Sequence, residues 1–256
     1  MSFDAGLIFA FLLVFVRCSA MFLSAPLFSS PNLPLRIRIL AAVVVSAALT
    51  AALRPVLPAP PANMYMFAAV IANEVLAGLI IGVFVQIVLL AAEMGGAFMD
   101  LQVGLSMSHV LNPATGQPST VLSQFKYMLA LVVFLSVNGH HVMLGAFVKS
   151  FEVMPTISGG TLAALQENQL ILLGQLSLIA LQIATPVLAV SILVDAALGI
   201  MNKAVPQMHI FIVGMPAKVT MGLLTLSVAL PATAAAVLGG VESATDALYR
   251  VMTARG

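Results

Sequence analysis

The stretch YMFAAVIANEVLAGLIIGVFVQIVLLAA, residues 65–92, contains a single charged side chain, Glu74. A helix needs roughly 20 mostly apolar residues to cross a bilayer, and this stretch is long enough. The whole chain has the same character, with 61% hydrophobic and 7% charged residues. A soluble domain carries about 25% charged residues, so this composition predicts an integral membrane protein.

Six segments of the sequence are apolar and long enough to be spanning helices. Leucine, alanine and methionine favour helix, and the alternating pattern of an outer-membrane barrel is absent. The last residues, 239–256, predict a short amphipathic helix with Arg250 and Arg255 near its end. We therefore predict an all-α integral membrane protein, a single domain over 1–256 with a polar loop at about 104–123. The six segments are 5–28, 37–57, 65–92, 124–148, 169–200 and 209–238.

Orientation in the membrane does not follow from the positive residues. With six spans, one side of the membrane collects four Lys and Arg residues and the other side also collects four. The positive-inside rule needs an excess on one side. The tie indicates either a different number of spans or a chain that is not threaded conventionally.

Several charged residues lie inside the apolar segments, where each costs roughly 2.5–3.5 kcal/mol on insertion scales. They either line an ion or proton path or pair between helices, and we favour pairing of Arg17, Lys203 and Lys218 with Glu74, Glu93 and Asp195. Asp195 is the best placed for a transport site, because it lies deep in a segment and follows Pro186.

Glycine pairs add information about packing. Gly78 and Gly82 form a GxxxG motif, which lets another helix backbone approach closely. The adjacent pairs at 95–96 and 159–160 predict breaks or hinges.

Signs of catalysis or of a metal centre are weak. His140 and His141 are adjacent and point to different faces of a helix, so they favour a polar kink over a zinc site. The sequence has no P-loop, HExxH or nucleophile elbow. We predict no enzyme, no metal and no cofactor.

One polar stretch stands apart, LSMSHVLNPATGQPSTVLSQF at 105–125. No Asp, Glu, Lys or Arg lies between Asp100 and Lys126. The stretch is too polar for a membrane span and lacks the charges usual in a loop facing bulk water.

Four stretches together resemble the FliR family, the flagellar type III export-gate subunit. They are RCSAMFLSAPLFSSPNLPLRIRIL at 17–40, DLQVGLSMSHVLNPATG at 100–116, FLSVNGHH at 134–141 and GIMNKAVPQMHIFIVGMPAKVTMGLL at 199–224. The resemblance covers nearly the whole chain in order. Virulence-type injectisomes use a related subunit, but the loop and NGHH look more flagellar.

The resemblance implies a single-copy, non-enzymatic subunit that completes a helical ring with FliP and FliQ, wrapped by FlhB. In that family the complex lies in the bacterial plasma membrane at the flagellar basal body. Unfolded flagellar proteins leave the cell through it, and much of it is lifted above the membrane plane.

The family also implies roles for particular residues. The loop that plugs the closed channel in that family corresponds to about residues 104–120 of this sequence. Many relatives carry an acidic residue before the proline of this loop, whereas this sequence has Asn112 before Pro113. The predicted plug residues are Ser106, Met107, Ser108, His109, Val110, Leu111, Asn112, Pro113, Ala114, Thr115, Gly116, Gln117 and Pro118. The predicted assembly and helix-packing residues are Arg17, Glu74, Gly78, Gly82, Asp195, Asn202, Pro206, Gln207, Phe211, Gly214, Pro216 and Lys218.

Two other functions stay open from the sequence. A stand-alone secondary transporter would have its site near Asp195 and the segment broken at Pro186. An intramembrane enzyme is the more remote alternative, because no nucleophile–base pair is recognisable.

Overall fold

A computed structural model describes residues 5–26, 28, 33–58, 60–61, 63–106, 120–153, 159–205 and 210–253. Within those ranges the chain forms α-helices and a short 3-10 turn at Arg54–Val56, without a strand, so the all-α prediction is confirmed. The helices are α1 Ala5–Ser24, α2 Leu35–Leu53, α3 Met64–Val103, α4 Val121–Ser136, α5 Gly139–Val153, α6 Gly159–Ala204, α7 Ile210–Val228 and α8 Leu230–Thr253.

The described helices fit a membrane protein in length and composition. Four of them (α1, α2, α3 and part of α6) are long and apolar enough to cross a bilayer. Counting the bent pairs α4–α5 and α7–α8 as one span each gives up to six, the number expected from the sequence.

The predicted helix at 124–148 is in fact two helices, with a bend of 68° between α4 and α5. Asn138 lies at the break with a φ of 56°, a left-handed conformation that Asn tolerates better than most residues. Its carbonyl accepts hydrogen bonds from the amides of His141 and Val142, which starts the first turn of α5. The two histidines therefore lie just after a kink.

The end of the chain divides differently from the prediction. The helix expected to end near 238 already ends at Val228, and α8 joins its remainder to the predicted amphipathic helix, with a 59° bend from α7. Pro231, in the first turn of α8, has no N–H to continue the backbone ladder from α7, which explains the position of the break. Arg255 lies outside the described residues.

Two helices are longer than hydropathy indicated. Helix α3 has 40 residues and α6 has 46, against predictions of 65–92 and 169–200. Helix α3 continues through Gly95 and Gly96, so the hinge predicted there is wrong. A Cβ on Gly95 would lie 2.8 Å from the carbonyl oxygen of Ala180, and a Cβ on Gly96 would meet the backbone of Ser123. These glycines therefore permit close packing.

The described chain forms two compact units, one within residues 1–87, 135–173 and 241–256 and the other within 88–134 and 174–240. In the first unit, a hydrophobic core draws on α1, α2, α3, α5 and α8. Its aromatic contacts include the stacked rings of Phe22 and Phe28 and the edge-on rings of Phe147 and Phe151. Helix α2 buries only a narrow stripe, Ala42, Ser46, Thr50 and Leu53, so most of its apolar surface is exposed.

The second unit contains the end of α3, nearly all of α4, the later part of α6, all of α7 and the start of α8. Its buried side chains include Met99, Leu122, Ile183 and Val237. The polar stretch at 105–125 leaves and re-enters the described chain in this unit. The unit therefore holds the base of the loop.

Candidate functional site

The base of the polar loop begins at the C-terminus of α3. Gly104 has a φ of 93° and donates its amide to the carbonyl of Asp100 at 3.0 Å. This is the hydrogen bond of an αL helix cap, where glycine is preferred because a side chain would be strained. The amide of Ser106 also donates to the carbonyl of Asp100, at 3.3 Å. The start of the loop is therefore tied to Asp100.

The loop returns at the N-terminus of α4, again to Asp100. One carboxylate oxygen of Asp100, Oδ2, accepts from the amides of Leu122 at 2.9 Å and Ser123 at 3.0 Å. The first amides of a helix have no partner within the helix, and a carboxylate there also complements the helix dipole. Asp100 is fully buried, so these bonds form away from water.

Close backbone packing accompanies this cap. Gly96 lies one helical turn before Asp100 on α3, and a Cβ on Gly96 would collide with the backbone of Leu122 and Ser123. Positions i and i+4 lie on one helix face, so Gly96 and Asp100 meet the same turn of α4. Because Gly96 has no side chain, α3 and α4 approach closely enough for the Asp100 carboxylate to bind the amides of Leu122 and Ser123.

An ion pair lies beside the last turn of α3. The Nζ of Lys218 on α7 is 2.5 Å from Oδ1 of Asp195 on α6. Both partners also bind Gln102. Its side-chain amide donates to Oδ2 of Asp195, and its backbone carbonyl accepts from Nζ of Lys218 at 3.4 Å. A cation near the last carbonyls of a helix is favoured by the helix dipole. The pair thus links three helices next to Gly104.

The surroundings of this ion pair are apolar and exposed. The side chain of Asp195 is 44% exposed and that of Lys218 is 20% exposed. Large apolar side chains on the same two helices are exposed as well, among them Ile192, Leu193 and Leu224. A charged pair within such a surface is costly against lipid, so this surface is suited to contact with protein or water.

A second ion pair lies in the other unit and is buried. The Nε of Arg17 on α1 donates to Oε2 of Glu74 on α3 at 2.5 Å, and the two side chains are 0% and 3% exposed. A second guanidinium nitrogen of Arg17 donates to Oγ of Ser150 at 2.9 Å, and its carbon lies 4.0 Å from the ring centre of Phe151. This cluster ties α1, α3 and α5 together.

The GxxxG glycines lie next to the buried pair. A Cβ on Gly78 would collide with the carbonyl oxygen of Arg17 and lie 2.8 Å from Cβ of Ala20. A Cβ on Gly82 would collide with the hydroxyl of Ser24 and lie 2.7 Å from the carbonyl oxygen of Met21. The two glycines therefore let α3 pack directly on the backbone of α1.

The remaining predicted residues are spread over α6 and α7 or lie outside the described residues. Asn202 is exposed near the end of α6, Gly214 packs against Leu198, and Pro216 is exposed inside α7. Phe211 lies in α7, and its side chain is not among those described. Of the predicted plug residues only Ser106 is described. The others, Met107–Pro118, lie outside the described residues, as do Pro206 and Gln207.

Sequence reasoning missed several of these contacts. It used Asp100 only as the boundary of the uncharged stretch and did not consider Gln102 or Ser150. It also missed Lys126, a fully buried lysine whose Nζ donates to Oγ1 of Thr233. The available signal was the same for Asp100 and Lys126: each is a lone charge at one end of a long uncharged stretch.

Within the described ranges, no three His, Cys, Asp or Glu side chains lie close enough together to hold a metal ion.

These features define a class of protein: a helical membrane protein with internal ion pairs, an anchored polar loop and exposed apolar helix faces. The sequence profile of the bacterial export proteins, family 1, matches residues 8–244. The flagellar biosynthetic protein FliR of Bacillus subtilis strain 168 is 35% identical over 86% of this chain and 85% of its own length. FliR of Escherichia coli K12 is 30% identical over 84% of this chain and 82% of its own, and FliR of Caulobacter vibrioides is 28% identical over 85% and 87%.

The chain belongs to the bacterial export proteins, family 1, and is a member of the FliR family. The family resemblance seen in the sequence is confirmed. Membership makes the chain a membrane component of flagellar protein export.

Proposed function

We propose that the chain is a pore-forming structural subunit of the flagellar type III export apparatus in the bacterial plasma membrane. It completes an export gate with FliP and FliQ, next to FlhB, and unfolded flagellar proteins pass through that gate. Its contribution is structural: it supplies helix faces, a pore wall and a plug, without catalysing a reaction.

The observation that carries this proposal is the ion pair between Asp195 and Lys218. It is partly exposed on helices whose other exposed side chains are largely apolar. If these helices contacted only lipid, the exposed charges would be unfavourable and no interaction would offset that cost. A neighbouring subunit can cover the apolar side chains and hydrogen-bond to the pair, as at a protein interface with an apolar core and a polar rim.

The base of the loop supports the plug within this proposal. The polar stretch has no Asp, Glu, Lys or Arg between Asp100 and Lys126, and both of its ends are fixed to Asp100. Fixed charges in a narrow pore would retain some unfolded substrates and repel others. Ser, Thr, Asn and Gln hydrogen-bond without that preference, so we assign Ser106–Pro118 as the plug.

The stand-alone transporter depends on a carboxylate available to a transported ion. Asp195 is the candidate, and it is already bound by Lys218 and Gln102. This pairing favours the subunit of an assembly over the transporter.

Co-expression with FliP and FliQ tests the assembly. We expect the three proteins to purify as one complex, whose native mass gives one copy of this chain, and we expect the chain expressed alone to be recovered in much lower amount. A chain that purifies alone as a stable oligomer and moves a small solute in liposomes would disprove the proposal.

Deleting Ser106–Ser119 tests the plug separately. The deletion leaves Asp100, Gly104 and α4 in place, so we expect normal recovery of the complex. Ion conductance of the membrane should rise well above that of the wild type. A complex recovered in full with unchanged conductance would refute the plug assignment while leaving the assembly proposal standing.

A further inference from the structure

The N-terminus of α4 is capped from a distance. By sequence, Thr120 precedes the first helical residue, and a threonine at this position usually accepts from the amides two or three residues on. In the structure the amides of Leu122 and Ser123 donate to Asp100 instead. The hydroxyl of Thr120 is buried and has no hydrogen-bond partner among the described residues. Asp100 has taken the place of the local cap.

The same residue also holds the other end of the loop. Its carbonyl accepts from the amides of Gly104 and Ser106, and its carboxylate accepts from those of Leu122 and Ser123. Burial of Asp100 makes these four hydrogen bonds stronger than they would be in water, because the local dielectric is low. Only the carboxylate bonds can be removed by changing the side chain.

We infer that Asp100 is a positioning residue that closes the base of the polar loop by joining the last turn of α3 to the first turn of α4. The inference rests on the proposed function, since closing the base matters to export only if the loop is a plug. Asp100 itself acts through the two helix ends, and its side chain touches neither substrate nor partner in this assignment. Loss of the carboxylate releases the first turn of α4, so that only the α3 end of the loop remains hydrogen-bonded to residue 100.

The test uses the co-expressed complex with FliP and FliQ. The variants are Asp100→Ala, Asp100→Asn and the matched control Thr120→Ala. Each is made in the full chain, and Asp100→Ala is also made in the chain that lacks Ser106–Ser119. The measurements are recovery of the complex, ion conductance of the membrane and hydrogen exchange of the Leu122 and Ser123 amides.

We expect Asp100→Ala to raise conductance towards that of the loop deletion. Its two released amides should exchange at least about tenfold faster, because hydrogen bonds to a charged group are worth roughly that factor or more. Asn caps helices about as well as Asp, so Asp100→Asn should restore a tight membrane. Thr120→Ala should behave as wild type, and Asp100→Ala should add nothing to the loop deletion.

Each result decides a separate question. A tight membrane in a fully recovered loop deletion would overturn the plug assignment on which this inference rests and leave the assembly proposal standing. A leaky deletion together with a tight, fully recovered Asp100→Ala complex would overturn the role of Asp100 alone. If Asp100→Ala does not assemble, exchange in Thr120→Ala decides: protected amides support Asp100 as the cap, and exposed amides overturn the inference.

Discussion

The two ion pairs have the same chemistry and different surroundings. Arg17–Glu74 and Lys218–Asp195 each join two helices with a nitrogen–oxygen distance of 2.5 Å. The first pair is almost fully buried within its own unit, whereas the side chains of the second are 20% and 44% exposed. Distance alone therefore does not indicate what an ion pair contributes.

The difference in surroundings assigns the pairs to different tasks. Arg17 also binds Ser150 and faces the ring of Phe151, so its charge is surrounded by partners from its own chain. Lys218 and Asp195 retain exposed surface that a second protein can contact. We expect the buried pair to control folding of the chain and the exposed pair to control assembly.

The largest effect is expected from Glu74→Gln, which leaves the charge of Arg17 buried without its carboxylate. Breaking a buried ion pair on one side costs about 3–5 kcal/mol, so the free energy of unfolding should fall by that amount. Thermal unfolding of the purified protein in detergent and the yield of monodisperse protein measure it. Glu93→Gln is the control, because Glu93 is a half-buried glutamate on the same helix. If both variants melt at the same temperature, the buried pair is not a folding element.

Replacing both partners sharpens this result. The double variant Arg17→Met, Glu74→Leu removes both charges and fills the space with apolar atoms. Such replacements are often neutral or stabilising by about 1–4 kcal/mol relative to the ion pair. Recovery of most of the stability lost in Glu74→Gln would show that the cost arises from an uncompensated charge. A double variant as unstable as the single one would show that the hydrogen bond to Ser150 or the contact with Phe151 matters more.

An intermediate effect is expected from Gly78→Ala, which tests the close packing beside the buried pair. The added methyl group would meet the carbonyl of Arg17, and relieving such overpacking typically costs about 1–3 kcal/mol. The matched control is Gly145→Ala on α5, where a Cβ would have open space. That variant should gain up to about 1 kcal/mol from helix propensity. Equal melting temperatures in the two variants would mean that α1 and α3 can separate without loss.

Hydropathy predicted the helices well because burial in a bilayer or a core depends on composition over many residues. Hydropathy alone did not indicate the breaks at Asn138 and Ala229, since each depends on one or two residues within an apolar average. The kink expected from the polar pair His140 and His141 is confirmed by the 68° bend beside Asn138. Hydropathy also ended α3 too early, because the glycines at 95 and 96 were interpreted as a hinge. Their role as close-packing positions depends on Ala180 and Ser123, which are distant in sequence.

The candidate site was predictable only in part. Charges inside apolar segments require partners, so Arg17, Glu74, Asp195 and Lys218 could be selected from the sequence. Their pairing could not be, since Arg17 had several possible partners and the observed one lies 57 residues away. Asp100 was missed as a cap because it lies far in sequence from the amides of Leu122 and Ser123 that it binds. A cap supplied by a residue 22 positions earlier leaves no pattern in one sequence.

The smallest effect on the chain itself is expected from Lys218→Met. Partly exposed ion pairs contribute about 0–1 kcal/mol, so thermal unfolding of the isolated chain should hardly change. Recovery of the complex with FliP and FliQ should nevertheless fall, because Asp195 would face the interface without its cation.

Lys203→Met is the matched control, because Lys203 is an exposed lysine in the last turn of α6. The double variant Lys218→Met, Asp195→Asn should recover part of the lost assembly by removing the unpaired charge. A Lys218→Met chain that melts as low as Glu74→Gln would place this pair with the folding elements. A Lys218→Met chain that assembles like Lys203→Met would show that Lys218 is a surface lysine whose aliphatic stem covers apolar surface and whose charge lies in water.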